Sequence, residues 1–312
     1  MTSAHPGVAS GRAPRAAPPG AALRRAPEWL VIWAPLLLAA AHIVVFAAWT
    51  VWMSFTASTL MPVNDFVGLR NYNSVLATRN WKIAFDNLLV FGAGFVAFTM
   101  LMGLLLAILL DQRIRGENVL RSIFLYPMAV SFVVTGVVWS WLLNPGMGIQ
   151  KLVNDLGWTG FRFDWIVDRE MAIWTIVLAG VWQASGFAMA LILAGLRSVE
   201  PDLVKAAQID GAGPLRLYAR IILPTLWPIL VAVLVILLQK AIATFDLVRA
   251  LTGGGPGIAT QLPALVVYDF MFQRGQIGRG AAAAVLMLMT LLAVLVPHAI
   301  LRYARARRHA GT

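Results

Sequence analysis

Long runs without a charged residue, separated by short polar stretches, set the pattern of this chain. Five such runs cover residues 29–53, 88–110, 123–143, 171–196 and 281–301, and a sixth, 227–245, is interrupted only at Gln239-Lys240. Crossing a ~30 Å hydrocarbon core takes about 20 apolar residues in a helix, and these runs are all near or above that length. They are too long for buried strands and longer than most core helices. Pro35, Pro127 and Pro297 lie inside three of them; neighbouring helices can satisfy the carbonyls that a proline frees within a membrane. The pattern predicts an all-α polytopic membrane protein with six transmembrane helices.

Charge then orients the spans. Lys and Arg total 25 against 14 Asp and Glu, a net +11, while 60% of the 312 residues are hydrophobic and only 12% charged. Soluble domains carry about 25% charged residues. A basic balance fits a nucleic-acid partner, a membrane surface or cytoplasmic loops, and the placement of the charges decides between them. Residues 1–28, 111–122, 197–226 and 302–312 hold 15 Lys and Arg, against nine in the longer segments 54–87, 144–170 and 246–280. The positive-inside bias therefore predicts both termini in the cytoplasm, N-in and C-in. Most of the basic charge is topology, and no nucleic-acid partner is needed to explain it. The absence of cysteine excludes disulfides, thiolate catalysis and Cys-based metal sites.

Residues 1–28 are predicted to be a disordered basic cytoplasmic tail, because the first 27 hold five prolines, eight alanines and four arginines but no acid. A secretory signal is the rival reading, but the apolar run that follows exceeds a 7–15-residue signal core, which favours a retained anchor. An Arg-rich, acid-free tail also fits a transit peptide. Residues 29–308 form the predicted six-helix transmembrane domain, with a cytoplasmic loop over 197–224, and 309–312 a second short cytoplasmic tail.

No Asp or Glu lies inside any of the six apolar runs. Ion-coupled carriers usually bind the coupling ion with intramembrane carboxylates, so this weighs against a secondary carrier, although backbone carbonyls can hold sodium. A phosphate-binding GxxxxGK[ST] loop is also missing, so the chain is not expected to hydrolyse ATP. The four histidines, at 5, 42, 298 and 309, have no metal-ligand spacing. No catalytic residue and no metal site is predicted.

Lys240 is the one charge well inside a span. It either lines a wet pathway or snorkels to the outer interface on its long stem. Gln239 and Gln183 can hydrogen-bond a polyhydroxyl solute, or serve as helix–helix contacts. Trp139, Trp141 and Trp182 can stack on sugar rings, although interfacial tryptophans form a belt by default.

The polar segment 197–224 carries the clearest local signal. Pro201 suits the first turn of a short helix, with Glu200 or Ser198 near its cap. Leu203, Val204, Ala207 and Ile209 give it an apolar stripe, and Gly211 fits the left-handed residue that ends it. Gly213-Pro214 then start a second helix running to Pro224. Small residues at Ala206, Ala207, Gly211 and Ala212 permit close approach of another protein; a plain helical connector on the membrane surface is the alternative.

Lys205-Ala206-Ala207, then Gly211, then Ile221-x-Leu223-Pro224 resembles the EAA loop of ABC-importer permeases, and the wider Ala-Ala-x-Ile-Asp-Gly-Ala of 206–212 is similar as well. Lys205 departs from the pattern by replacing its usual Glu. Phe66-Val67-Gly68-Leu69-Arg70-Asn71-Tyr72 and Leu251-Thr252-Gly253-Gly254-Gly255-Pro256 resemble segments of carbohydrate permeases, and the regions 139–148 and 182–186 look most like permeases assigned to glucose or mannose. The resemblance implies a type I ABC-importer permease fold in a bacterial inner membrane. It implies a second homologous permease, two ABC ATPase subunits that bind ATP and Mg, and an extracytoplasmic sugar-binding protein as partners, with a sugar as substrate in a lipid bilayer. It also implies that Lys205, Ala206, Ala207, Asp210, Gly211 and Ala212 belong to a coupling helix that docks on the ATPase. Lys240, Gln239, Gln183 and Trp139 are the candidates for the substrate pathway. The competing class is an ion-coupled secondary carrier.

Overall fold

The structure, a computed structural model, describes residues 28–112 and 115–310. The predicted tail over 1–27, Arg113 and the final residues 311–312 lie outside the described residues. The chain divides by internal contact into two units, residues 1–49 and 50–312.

Thirteen α-helices follow one another among the described residues. They are α1 (Glu28–Ser54), α2 (Arg70–Ala77), α3 (Arg79–Asp111), α4 (Glu117–Ala129), α5 (Phe132–Leu142), α6 (Ile149–Asp155) and α7 (Ala172–Leu196), then α8 (Pro201–Ile209), α9 (Pro214–Leu217), α10 (Leu223–Ile242), α11 (Asp246–Leu251), α12 (Pro263–Tyr268) and α13 (Ile277–Ala310). The only β pairing among those residues is an isolated antiparallel bridge between Thr56 and Phe66. In the first unit, α1 presents Trp33, Leu38, Ile43 and Phe46 outward, as expected of a helix whose surroundings are apolar.

Five helices are long and apolar enough to span: Trp33–Ser54, Arg79–Asp111, Ala172–Leu196, Pro214–Ile242 and Ile277–Ile300. The predicted third span, 123–143, is not continuous. It is divided into α4 and α5, which meet at 98° across Val130-Ser131. Pro127 sits three residues before the break, where it removes one helical N–H and crowds the carbonyl a turn earlier. Ser131 then takes an extended conformation, and its hydroxyl accepts from Val134 N at 3.3 Å to cap α5. An apolar, charge-free run conceals this break because its hydropathy is uniform.

Directions within the second unit follow from close approaches. A Cβ on Gly94 would lie 3.4 Å from Val177, and one on Gly103 would reach Ala188, so α3 and α7 run parallel. The chain between two parallel neighbours must return to the starting side, which makes the α4–α5 pair a broken crossing. Gly92 lies against Ala241 and Gly195 against Leu226 and Ile229, so α10 runs the opposite way. At Gly103 the helices are so close that a Cβ would stand 3.0 Å from the Met189 backbone nitrogen; small residues at such crossings are how membrane helices gain packing without a hydrophobic driving force. Phe91, Phe95, Ile176, Met189, Ile192, Leu226, Leu237 and Leu247 fill the core between α3, α7, α10 and α11. A second cluster joins Trp81 and Ala84 at the start of α3 to Ala282 and Ala283 at the start of α13, so those two helices begin at the same end.

The span predicted over 227–245 also differs. Helix starts at Pro214 and continues through a wide π-turn, Tyr218–Ile222, into α10, giving one apolar helix from Pro214 to Ile242. Leu223 N bonds to Tyr218 O, five residues back. The widened turn lies immediately before Pro224, whose ring would otherwise press on the carbonyl of Arg220.

Candidate functional site

The segment after α7 folds as its turn chemistry dictates. Pro201 is the first residue of α8 and Glu200 is its cap, without a side-chain capping bond; the Ser198 hydroxyl donates instead to Gly195 O at 2.7 Å. At the other end Gly211 has φ +79°, with no atom within 4 Å of where a Cβ would stand. The glycine is therefore required by the backbone and not by crowding. Ala212 N donates to Ala207 O at 3.0 Å and Gly211 N to Gln208 O at 3.1 Å, the paired bonds of a Schellman cap. Proline at position 214 opens α9 two residues later.

This local order fixes which face is offered. Ala207 is buried, while Lys205, Ala206, Asp210 and Gly211 are exposed and Ala212 is half-buried. A shallow cavity of about 380 Å³ is lined by Leu203, Ala206, Ala207, Asp210, Ala212, Arg216, Arg220 and Ile221. Ile209 and Leu215 stand on either side of Gly211 with 86% and 85% of their surface open, apolar tips that have no partner within the described chain. Lys205 Nζ donates to Asp202 Oδ1 at 3.0 Å, one turn earlier on the same helix. Both groups are largely solvated, so the pair contributes little to stability.

The root of the segment is tied to two other helices. Arg197 pairs with Glu117 at the start of α4 and lies 4.0 Å from Asp111 at the end of α3. The Tyr218 hydroxyl accepts from Gln112 Nε2 at 3.4 Å, linking the wide turn to the residue that follows α3.

The four pathway candidates fall around the broken crossing but not at one point. Gln183 on α7 is buried, and its Nε2 donates to the free Val130 carbonyl at 2.6 Å, while its Oε1 has no partner. Lys240, in the last turn of α10, is half-buried and holds its ammonium 5.7 Å from the ring centres of both Phe132 and Phe187. Its neighbour Gln239 is exposed. Trp139 is separate from these, edge-on to Trp182 at 6.0 Å. Both indoles line an apolar cavity of about 740 Å³, together with Trp165, Trp174, Phe98 and Phe124. Sequence reasoning missed Phe132 and Phe187 because nothing local distinguishes a phenylalanine beside a distant lysine from any other in a span.

At the end where α3 begins, Asn87 Nδ2 donates to Ala259 O at 2.9 Å and Gln261 O at 3.0 Å. This holds the glycine-rich turn after α11 against α3. Gln261 Nε2 in turn donates to Asp269 Oδ2 at 2.9 Å. Burial raises the Asp269 carboxyl above its ordinary value, and Arg274, Arg249 and the Gln261 bond partly offset that rise.

Helices of membrane-spanning length, one of them broken, and an exposed capped helix on the segment before α10 are the architecture of a polytopic membrane protein. Comparison with known proteins places it more closely. Residues 99–309 match the family described as binding-protein-dependent transport system inner membrane component, and the chain belongs to that family. It is 33% identical over 261 residues to the trehalose/maltose transport system permease protein MalF of Thermococcus litoralis, covering 83% of this chain and 87% of that one. It is also 33% identical over 285 residues to the xylose/arabinose import permease protein XacH of Haloferax volcanii, covering 90% and 88%. A solved bacterial ABC transporter involved in importing the acidic polysaccharide alginate shares the fold, with a TM-score of 0.75 at 21% identity over 91% of this chain and 99% of that one. Membership in a binding-protein-dependent family displaces the ion-coupled carrier.

Proposed function

We propose that this chain is one permease subunit of a sugar importer and that residues 200–217 carry the movement of an ATP-hydrolysing partner into the bundle. The observation that carries the reading is the exposed, Schellman-capped helix α8, joined through Gly213-Pro214 to a helix that runs unbroken from Pro214 to Ile242. A push on α8 has a continuous helical path into the span. The apolar tips of Ile209 and Leu215 and the cavity beside Ala206 supply a surface for the partner, and Asp210, Gly211 and Ala212 shape its turn. Lys205, held by Asp202, takes the place of the family's usual Glu and gives the partner contact the opposite charge.

The remaining assembly consists of a second homologous permease, two ATPase subunits that bind ATP and Mg, and an extracytoplasmic sugar-binding protein. The broken crossing makes six spans, and with the charge bias this supports both termini in the cytoplasm. Solute passes between the two permeases by alternating access. Lys240 and Gln239 donate to its hydroxyls and Trp139 offers a ring face, while Gln183, whose unpartnered Oε1 is buried, reaches the solute only when the bundle rearranges. The relatives' names cite a disaccharide pair and a pentose pair. A monosaccharide such as glucose or mannose is our choice here, on the resemblance of residues 139–148 and 182–186 to glucose and mannose permeases.

The test is co-purification of the chain with its partner subunits, followed by ATPase assays with the binding protein and a panel of sugars. Stimulation by one hexose above all other sugars is the expected result. Stimulation by disaccharides or pentoses alone overturns the monosaccharide choice, and no sugar-dependent ATPase activity overturns the importer reading.

A further inference from the structure

A polar pocket lies outside both the coupling loop and the broken crossing. It measures about 250 Å³ and is lined by Arg70, Arg279, Ser58, Asn71, Ser74 and Gln276. Two arginines share it, no Asp or Glu lines it, and among the described residues neither guanidinium makes an ion pair. Arg279 Nη1 donates to Gln276 Oε1 at 3.1 Å, and Arg70 is exposed.

The floor of the pocket is already built. Asn71, itself buried, donates from Nδ2 to Ser54 O at 2.9 Å and Thr56 O at 2.8 Å. The hydroxyls of Thr56 and Ser58 share a hydrogen bond at 2.6 Å, and Gly278 N donates to Ser58 O at 2.8 Å. These bonds clamp the turn after Ser54 to the first turns of α2 and α13, so the two arginines sit on a fixed frame. Depth follows from the spans: one ends at Ser54 and another begins at Ile277. The lining residues 57–59 and 276–279 therefore lie at the membrane–water boundary, where lipid phosphates are.

We propose that Arg70 and Arg279 grip the phosphate of an anionic phospholipid at the end of the bundle where α3 and α13 begin. A guanidinium fork matches two phosphate oxygens, and two forks without a carboxylate partner leave positive charge for an anion to neutralise. The flank selects lipid over a soluble protein carboxylate. Leu60 and Met61, next to the pocket in sequence, are 83% and 78% exposed, and Phe66 and Leu69 beside Arg70 are also open. Apolar side chains next to unpaired arginines at a span end suit acyl chains below a headgroup. This site is independent of the sugar and of the coupling loop.

The test uses the full chain with its co-purifying subunits, in nanodiscs of phosphatidylcholine and phosphatidylglycerol, examined by native mass spectrometry. Wild-type protein is expected to retain phosphatidylglycerol in excess of its share of the bilayer. Arg70→Gln should lower that retention about tenfold, the order of one lost charge-assisted hydrogen bond, and Arg70→Gln/Arg279→Gln should abolish it. Arg70 makes no side-chain bond within the described chain, so the single variant keeps the fold even if the double variant does not, and size-exclusion profiles check this. Equal retention in wild type and Arg70→Gln overturns the proposal. So does displacement of the lipid by millimolar inorganic phosphate, which would make this an ion pocket. A loss of binding-protein affinity with lipid retention unchanged would assign the arginines to a protein carboxylate instead.

Discussion

Gln183 Nε2 donates to the Val130 carbonyl at 2.6 Å, so the one crossing that breaks is pinned at its break by the helix packed beside it. A carbonyl freed inside a membrane has no water to turn to, and a side chain 53 residues away in sequence supplies its partner.

Gln183→Leu removes that partner while keeping bulk. The expected cost is about 1–3 kcal/mol for an unsatisfied buried acceptor, seen as a lower melting temperature of the purified permease in detergent. A Gln183→Leu protein that melts like wild type but has an altered sugar dependence would make the residue a solute contact and not a structural one.

Gly211→Val places a β-branched side chain at φ +79°. Because no atom stands near the added Cβ, any effect comes from the backbone, at about 1–2 kcal/mol or more. The turn between α8 and α9 should relax away from its left-handed form, and ATP hydrolysis should uncouple from uptake or assembly with the ATPase should fail. Normal uptake at a normal protein level removes the coupling assignment. Gly211→Asn, which tolerates this conformation better, should retain more coupling than the valine variant.

Lys240→Met keeps an unbranched side chain one atom shorter and removes its charge, together with two contacts to Phe132 and Phe187 of about 0.5–2 kcal/mol each. Uptake rate or selectivity should change while the subunits still co-purify. Unchanged transport kinetics would mean that the ammonium only shelters between two rings.

Asp269 gives a pH signature. Burial raises its carboxyl above the ordinary value of 3.8 even with Arg274, Arg249 and Gln261 opposing the rise. A carboxyl raised in the fold binds its proton more tightly there than in the unfolded chain. Its contribution is therefore most favourable below the ordinary value and declines as pH climbs through the raised one. Asp269→Asn should flatten the melting-temperature profile across mildly acidic pH; an unchanged slope assigns the pH dependence to other groups.

What could be read from the sequence was local. Pro201, Gly211 and Pro214 specify caps and starts that depend on their own φ angles, and the structure places each as its chemistry requires. Five spans could be read because hydropathy is additive along a helix. Elsewhere the deciding partner lay far away in sequence. The break at Val130 depends on Gln183, the surroundings of Lys240 on Phe132 and Phe187, and the polar pocket on Arg70 meeting Arg279 across the fold. Pro127 was visible from the start, but a proline in a span bends or breaks it according to what stands beside the freed backbone. The wide turn before Pro224 was hidden for a similar reason, since the expected end of the second short helix is the point where it continues into α10.

The 98° angle between α4 and α5 has a mechanical meaning. In a straight rod, motion along the axis arrives at the far end in the same direction. Across an elbow so close to a right angle, a shift of α4 along its own axis reaches α5 almost wholly as a sideways stroke. Arg197 fastens the foot of α4 to the end of α7, beside the segment proposed to meet the ATPase. The broken crossing thus has the form of a bell crank, in which a thrust along α4 arrives at α5 across its axis.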